Sequence, residues 1–148
     1  MSRDRQMRVL IVEDNPDFLE ALRRILHRCD PNAEISTAQG VEQARALLRT
    51  RRPDLVFLDI RLPDGNGLDL LEAIRRGSPR ATVVVSTNYD LPEYSEAARV
   101  RGADCFVPKA KLTPQGVEHL LSKVRLALRE RAAEQAEESP DAPPTISR

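Results

Sequence analysis

The chain has 148 residues, 41% of them hydrophobic, with 23 Lys plus Arg set against 23 Asp plus Glu. That length suits one domain, and the balanced charge argues against a nucleic-acid-binding surface, which would carry a basic excess or stripe. Only 3% of the residues are aromatic, so the core must be built from Leu, Val, Ile and Ala. The start of the chain is charged (Arg3, Asp4, Arg5), and no apolar segment of signal-peptide length follows. No apolar run reaches membrane-spanning length. Cys29 and Cys105 lie far apart, outside any metal-ligand spacing, and read as reduced thiols. These features predict a cytoplasmic protein with no membrane partner.

Residues 7–12 (MRVLIV) form the first predicted strand, followed at once by Glu13 and Asp14. Asn15-Pro16 opens a helix, with Pro at an early helical position. Phe18, Leu22, Ile25 and Leu26 make its buried face. Asp30-Pro31-Asn32 breaks it, and residues 33–38 give a second strand. Val41, Ala44, Leu47 and Leu48 mark a second amphipathic helix, ended by Arg51-Arg52-Pro53. Leu55, Val56, Phe57 and Leu58 then run together and end in Asp59. A short apolar run before turn signals suits a strand buried on both faces. The turn Leu62-Pro63-Asp64-Gly65-Asn66-Gly67 is made of residues that bend cheaply.

Leu68, Leu71 and Ile74 share one face of a third helix, closed by Gly77-Ser78-Pro79. Residues 82–85 are β-branched and apolar, a fourth strand ending in Ser86-Thr87-Asn88. A helix over about 92–101 carries Tyr94, Ala97, Ala98 and Val100, and Gly102 stops it. Residues 105–107 are the fifth strand, ending at Pro108-Lys109. From Pro114 onward, Val117, Leu120, Leu121, Val124 and Leu128 give a clear helical stripe, expected to be core. The pattern assigns 1–6 to an N-terminal tail and 7–131 to the folded domain. It assigns 132–148 to a helical extension passing into a disordered, acidic and Pro-rich tail.

Five strands alternating with five helices predict an α/β fold, a (βα)5 doubly wound parallel sheet with right-handed crossovers. In such a sheet all carboxyl ends of the strands lie on one edge, where open α/β folds place their ligands. Glu13 and Asp14, Asp59, Thr87 and Lys109 all fall there. Two carboxylates about 4 Å apart repel by about 4 kcal/mol at an effective dielectric near 20. One lysine cannot neutralise three acids. A hard divalent cation can, and a site of few carboxylates that keeps its waters suits Mg²⁺ better than a Ca²⁺ cage. A lysine and a hydroxyl beside it would hold phosphate oxygens, and a carboxylate can itself be the nucleophile.

With these residues in view, the chain resembles a response-regulator receiver domain of two-component signalling. The resemblance is carried by Glu13-Asp14 after the first strand, Asp59 after the third, and Leu62-Pro63 with Gly67 behind it. It continues through Thr87 after the fourth strand, Gly102-Ala103-Asp104 before the fifth, Phe106 within it and Lys109 at its end. It covers roughly residues 7–129 and implies the flavodoxin-like strand order 2-1-3-4-5.

The resemblance implies a phosphoacceptor at Asp59, served by a histidine kinase or phosphotransfer protein. It implies Mg²⁺ held by Asp14, Asp59, Glu13 (mostly through water) and the backbone carbonyl of Arg61. It places Lys109, Thr87 and the backbone of Asn88 on the phosphoryl oxygens, with Asp59 and Lys109 as the groups taking part in transfer. Thr87 and Phe106 would act as the switch, altering the face made by the fourth helix, fifth strand and fifth helix. Arg61 and Tyr89 hold positions that tune phosphoryl lifetime in the family. The output would be a downstream protein target or a homodimer, with no direct nucleic-acid binding. The domain would be a signalling unit rather than an enzyme, catalysing only its own phosphorylation and dephosphorylation.

Departures from the family pattern are informative. Ala110, not Pro, follows Lys109, so an ordinary trans bond is expected there. Lys111 is a second lysine nearby, and Ser86 a second hydroxyl beside Thr87. Asn88 is bulkier than the residue common at its position. Three other readings remain: a vestigial receiver used as a phosphorylation-independent interaction module, the receiver of a transcriptional regulator lacking its DNA-binding domain, and a Mg²⁺-dependent phosphatase. The last would want a second acid two residues after Asp59, where Arg61 stands. Taken without the family, Phe106 is plain core, Thr87 a strand-end residue, and His27 and His119 surface or packing residues. Arg51-Arg52 and Arg75-Arg76 read as solvated helix ends.

Overall fold

A computed structural model describes residues 5–89 and 91–138. Five strands form one parallel sheet: β1 (Arg8–Val12), β2 (Glu34–Ala38), β3 (Leu55–Leu58), β4 (Thr82–Val85) and β5 (Cys105–Phe106). Numbering only these strands, their order is β2-β1-β3-β4-β5. The helices are α1 (Pro16–Cys29), α2 (Val41–Thr50), α3 (Leu71–Gly77), α4 (Pro92–Val100) and α5 (Pro114–Glu138). The expected doubly wound fold and strand order are therefore present. The tail at 139–148, expected to be disordered, lies outside the described residues.

The layers follow from strand alternation. In β3, Leu55 and Phe57 point to the face covered by α1 and α5, packing with Leu22, Leu26, Val117 and Leu121. Val56 and Leu58 point to the other face, with Val41 and Ala44 of α2, Leu71 and Ile74 of α3, and Ala98 of α4. All four β3 residues are buried, which is why this segment reads as an unbroken apolar run. Each such side chain contributes about 1.5–3 kcal/mol through burial. The α5 stripe is used here: Val117, Leu121 and Val124 are buried in the core.

Local chemistry fixes the helix ends. The Asn15 side chain accepts from the amides of Asp17 and Phe18, and Pro16 occupies the first turn of α1. Helix α4 ends on Gly102, whose φ of 101° is left-handed. Its amide donates to the Arg99 carbonyl and that of Ala103 to the Ala98 carbonyl, the paired closure that favours glycine at this point. Asp64 caps α2 from a distance, accepting from the amides of Val41 and Glu42 at 2.7 and 3.1 Å.

Three local expectations change. The predicted turn at 62–67 contains a two-stranded antiparallel ribbon, Arg61–Leu62 with Gly65–Asn66, and passes through a 3-10 turn (Gly67–Leu70) into α3. The ribbon needs pairing across the turn, which composition does not reveal. Strand β5 stops at Phe106 rather than at residue 107, and Lys109 sits on a short 3-10 turn (Lys109–Lys111). Pairing with the β4 segment still persists, through Val107 to the Val85 carbonyl and Lys109 to the Thr87 carbonyl. Arg75 is no solvated helix end: it donates to the carbonyls of Ala81 and Gly102 and to the Asp104 carboxylate, stapling α3 to the approaches of β4 and β5. Every described peptide bond is trans.

Candidate functional site

The carboxyl edge of the sheet is built by backbone bonds that run past the strand ends. The Glu13 amide donates to Ala38, Asp59 to Val12, Ser86 to Leu58 and Lys109 to Thr87, at 2.9–3.1 Å. The first residue after each of three adjacent strands is thereby held in register with its neighbours. The loop behind Asp59 is equally constrained. The Gly67 amide donates to the Ile60 carbonyl at 2.6 Å, and a Cβ on Gly67 would fall inside contact distance of the Asp59 carbonyl oxygen. Only glycine allows that approach.

Glu13, Asp14 and Asp59 come together: one carboxylate oxygen from each lies within 4.8 Å of the others. Glu13 and Asp59 are buried, at 2% and 6% exposure, while Asp14 faces solvent. The Lys109 ammonium lies 2.8 Å from the Glu13 carboxylate and 3.1 Å from Asp59 Oδ2, with the Phe18 ring 4.8 Å away on α1. Glu13 also accepts from the Asn15 amide at 3.0 Å. Burial pushes the Glu13 carboxyl above its ordinary value, against the opposing pull of Lys109 and the Asn15 amide. Burial alone would lower the Lys109 ammonium, but its bonds to Glu13 and its pairing with Asp59 leave it raised and charged. Three acids thus share one cation, which leaves a net negative mouth suited to a further hard cation with oxygen ligands.

The remaining expected site residues sit around this mouth. Thr87 is fully buried, and its Oγ1 accepts from the Tyr89 amide at 3.3 Å. Ser86 is buried too, and its Oγ has no hydrogen-bond partner among the described residues. Asn88 is exposed, and Phe106 is half-buried against the α2–α4 face. Arg61 lies on the ribbon, its guanidinium 4.1 Å over the Tyr89 ring and donating to the Tyr94 hydroxyl at 3.1 Å. Lys111, the rival of Lys109, is exposed and makes no side-chain bond to the acids. His27 and His119 are exposed on their helices. The part played by Tyr94 was not foreseen; its spacing on α4 signals only a partly buried helix face.

A hollow of about 890 Å³ lies elsewhere. Arg5, Met7, Leu128 and Ala132 line it at the opposite edge of the sheet. Both cysteines are free, and burial raises their thiol pKa values. No described helix is long and apolar enough to cross a membrane.

A doubly wound parallel sheet with three acids and a lysine at the carboxyl ends of its strands defines a class of α/β domain whose ligand site lies at that edge. The family model described as "Response regulator receiver domain" matches residues 9–124. The chain belongs to that family. It is 37% identical over 135 residues to the response regulator protein PilR of Pseudomonas aeruginosa, covering 91% of this chain and 29% of that protein. It is 36% identical over 101 residues to the photosynthetic apparatus regulatory protein RegA of Rhodobacter capsulatus, covering 68% of this chain and 54% of RegA. The chain thus spans about half or less of the length of these curated relatives.

Solved structures agree. A CheY-like response-regulator receiver domain from Methanospirillum hungatei superposes with a TM-score of 0.72 at 28% identity, over 88% of this chain and 99% of that one. A response regulator protein from Burkholderia pseudomallei gives a TM-score of 0.69 at 26% identity, over 91% of this chain and 76% of that one. That crystal structure carries a phosphorylated aspartic acid, a calcium ion and citrate. Receiver domains bind Mg²⁺ in general, and the oxygen donor set of Glu13, Asp14 and Asp59 fits such an ion.

Proposed function

We propose that the chain is a phosphoacceptor receiver in which Asp59 takes a phosphoryl group from a histidine kinase or phosphotransfer protein. The observation that carries this reading is the pairing of the buried Asp59 carboxylate with the Lys109 ammonium inside a three-acid cluster. An Asp59 carboxylate oxygen attacks phosphorus, and the bond from phosphorus to the donor nitrogen or oxygen breaks. The electron pair of that bond leaves with the donor, and an acyl phosphate remains on Asp59.

Lys109 stands 3.1 Å from Asp59 Oδ2, within reach of phosphoryl oxygens on that carboxylate. Transfer is chiefly a matter of positioning and charge stabilisation, which a fixed ammonium supplies. Asp14, Asp59 and the Arg61 carbonyl would hold Mg²⁺ directly and Glu13 through water. When bound, the ion offsets the repulsion between an incoming phosphoryl group and the acids. Thr87 and the Asn88 amide would take the remaining phosphoryl oxygens. Thr87 gives up its bond from the Tyr89 amide when it turns, and Phe106 follows, biasing the α4-β5-α5 face between two states. That face would engage a downstream protein or a second copy, with the receiver unit spanning 7–131 in the cytoplasm. The unit turns over no substrate beyond its own phosphoryl group.

Intact mass spectrometry after acetyl phosphate and Mg²⁺ tests this. One phosphoryl adduct on the wild-type chain, absent from Asp59→Asn, is expected. Labelling of Asp59→Asn would overturn the assignment of the acceptor.

A further inference from the structure

Arg61 is exposed, and its guanidinium forms no ion pair among the described residues. It is stacked 4.1 Å over the Tyr89 ring and donates to the Tyr94 hydroxyl at 3.1 Å. The two rings are 6.2 Å apart and tilted by 58°. The cluster joins three segments: the ribbon two residues beyond Asp59, the loop after β4, and the first turn of α4. Tyr94 also packs against the core on that face, so its position is tied to the seat of α4. On the other side, the Tyr89 amide is bonded to the Thr87 hydroxyl.

Both partners of Arg61 are neutral, a phenol oxygen and a π face. Such contacts at an exposed site are weak, whereas a guanidinium binds a phosphate dianion through paired charge-assisted bonds. Two residues of extended backbone span at most about 7 Å, within the reach of an arginine side chain from its own Cα. A phosphoryl group on Asp59 would therefore compete directly for this guanidinium.

Resting on the phosphoacceptor reading, we propose that Arg61 is a phosphoryl-binding residue parked on a tyrosine clamp, and that its transfer to phospho-Asp59 releases Tyr94 and with it the start of α4. The signal then leaves the site by two routes from one event. Arg61 lets go of Tyr94, and Thr87 lets go of the Tyr89 amide. Tyr89 stands between them and loses both restraints. Helix α4 is freed at its first turn while its Gly102 end stays closed.

The chain contains two tyrosines and no tryptophan, so its intrinsic emission reports on this clamp alone. The experiment records tyrosine emission and intact mass together on the full chain during incubation with acetyl phosphate and Mg²⁺. In the wild type, emission is expected to change in step with adduct occupancy. Arg61→Ala, an exposed change that keeps the backbone carbonyl, is expected to take up phosphoryl less readily and, at matched adduct occupancy, to show none of the emission change, starting near the phosphorylated wild-type value. Full wild-type adduct with unchanged emission would overturn the proposal. So would Arg61→Ala showing the same change as wild type. Absence of any wild-type adduct, with acetyl phosphate or with a kinase, would instead remove the phosphoacceptor reading beneath it.

Discussion

Strand β3 has an aspartate at each end, and both are buried: Asp54 at 5% exposure and Asp59 at 6%. Asp54, at the amino edge, is saturated. Arg5 grips it with two bonds of 2.6 and 3.0 Å, and the Arg8 amide adds a third at 2.9 Å. The acids nearest that edge, Glu34 and Asp104, are each paired with an arginine of their own, Arg8 and Arg75. Asp59, at the carboxyl edge, accepts one side-chain bond, from Lys109, and faces two further carboxylates. The same residue type, on the same strand and at the same depth, is a structural pin at one end and, in the proposed reading, the phosphoacceptor at the other. Burial does not decide which; the donors left unprovided do. An acid with spare lone pairs and like-charged neighbours is held ready for a cation and an electrophile.

The sharpest way to break this contrast is to remove each acid in turn without Mg²⁺. Asp54→Ala strands the Arg8 amide and frees Arg5, and should cost about 3 kcal/mol in urea unfolding. Asp59→Asn relieves crowding among the acids while weakening the hold on Lys109. These effects oppose, and stability should stay within about 1 kcal/mol of wild type. Equal losses at both positions would dissolve the distinction.

Adding Mg²⁺ sharpens it. At tenfold excess over its dissociation constant, the ion should stabilise the wild type by about 1.4 kcal/mol, read as a rise in Tm. Asp14→Ala, at an exposed position, should lose that rise. Asp54→Ala, lower in stability throughout, should keep it. A Mg²⁺ response that survives Asp14→Ala would place the ion elsewhere.

The smallest effect concerns a further acid, held by backbone amides. The amides of Val41 and Glu42 hold the Asp64 carboxyl below its ordinary value. A depressed folded-state pKa means stability that is present above the unfolded-state value and fades as pH falls through the folded one. Thermal melts between neutral and strongly acidic pH should therefore fall more steeply for wild type than for Asp64→Asn. Parallel curves would remove Asp64 as a cap.

Much of this was legible in the sequence because a parallel sheet turns chain order into spatial order. Each strand is a short apolar run, and the first polar residue after it must lie on the common edge; Glu13, Asp59 and Ser86 follow from that alone, with Thr87 one residue further on. Lys109 was legible as an edge residue but not as part of a 3-10 turn, since a strand of two residues leaves almost no pattern. The pairs that lock the edges were not legible. Arg5 with Asp54, Asp64 with the start of α2, and Arg61 with Tyr94 join residues that no periodicity relates. Arg75 read as a solvated end because two of its acceptors, the Gly102 carbonyl and the Asp104 carboxylate, lie on a segment that meets it only in the folded chain. Gly67 was visible as a turn residue, but the reason for glycine there, the carbonyl of Asp59 against its Cα, is tertiary.

Helix α5 starts beside Lys109 and runs back along the sheet, and beyond Leu128 it overhangs the edge where Arg5 and Met7 lie. Arg80, just before β4, reaches Glu134 on that overhang at 3.8 Å. Both ends of the described chain therefore leave from the edge opposite the acids. A bead, a surface or another folded unit joined at either end would hang from that side, and the acidic edge would face away from it. Tension applied through the two ends would bear first on Arg5, Asp54 and the overhanging end of α5, on the side away from the acids.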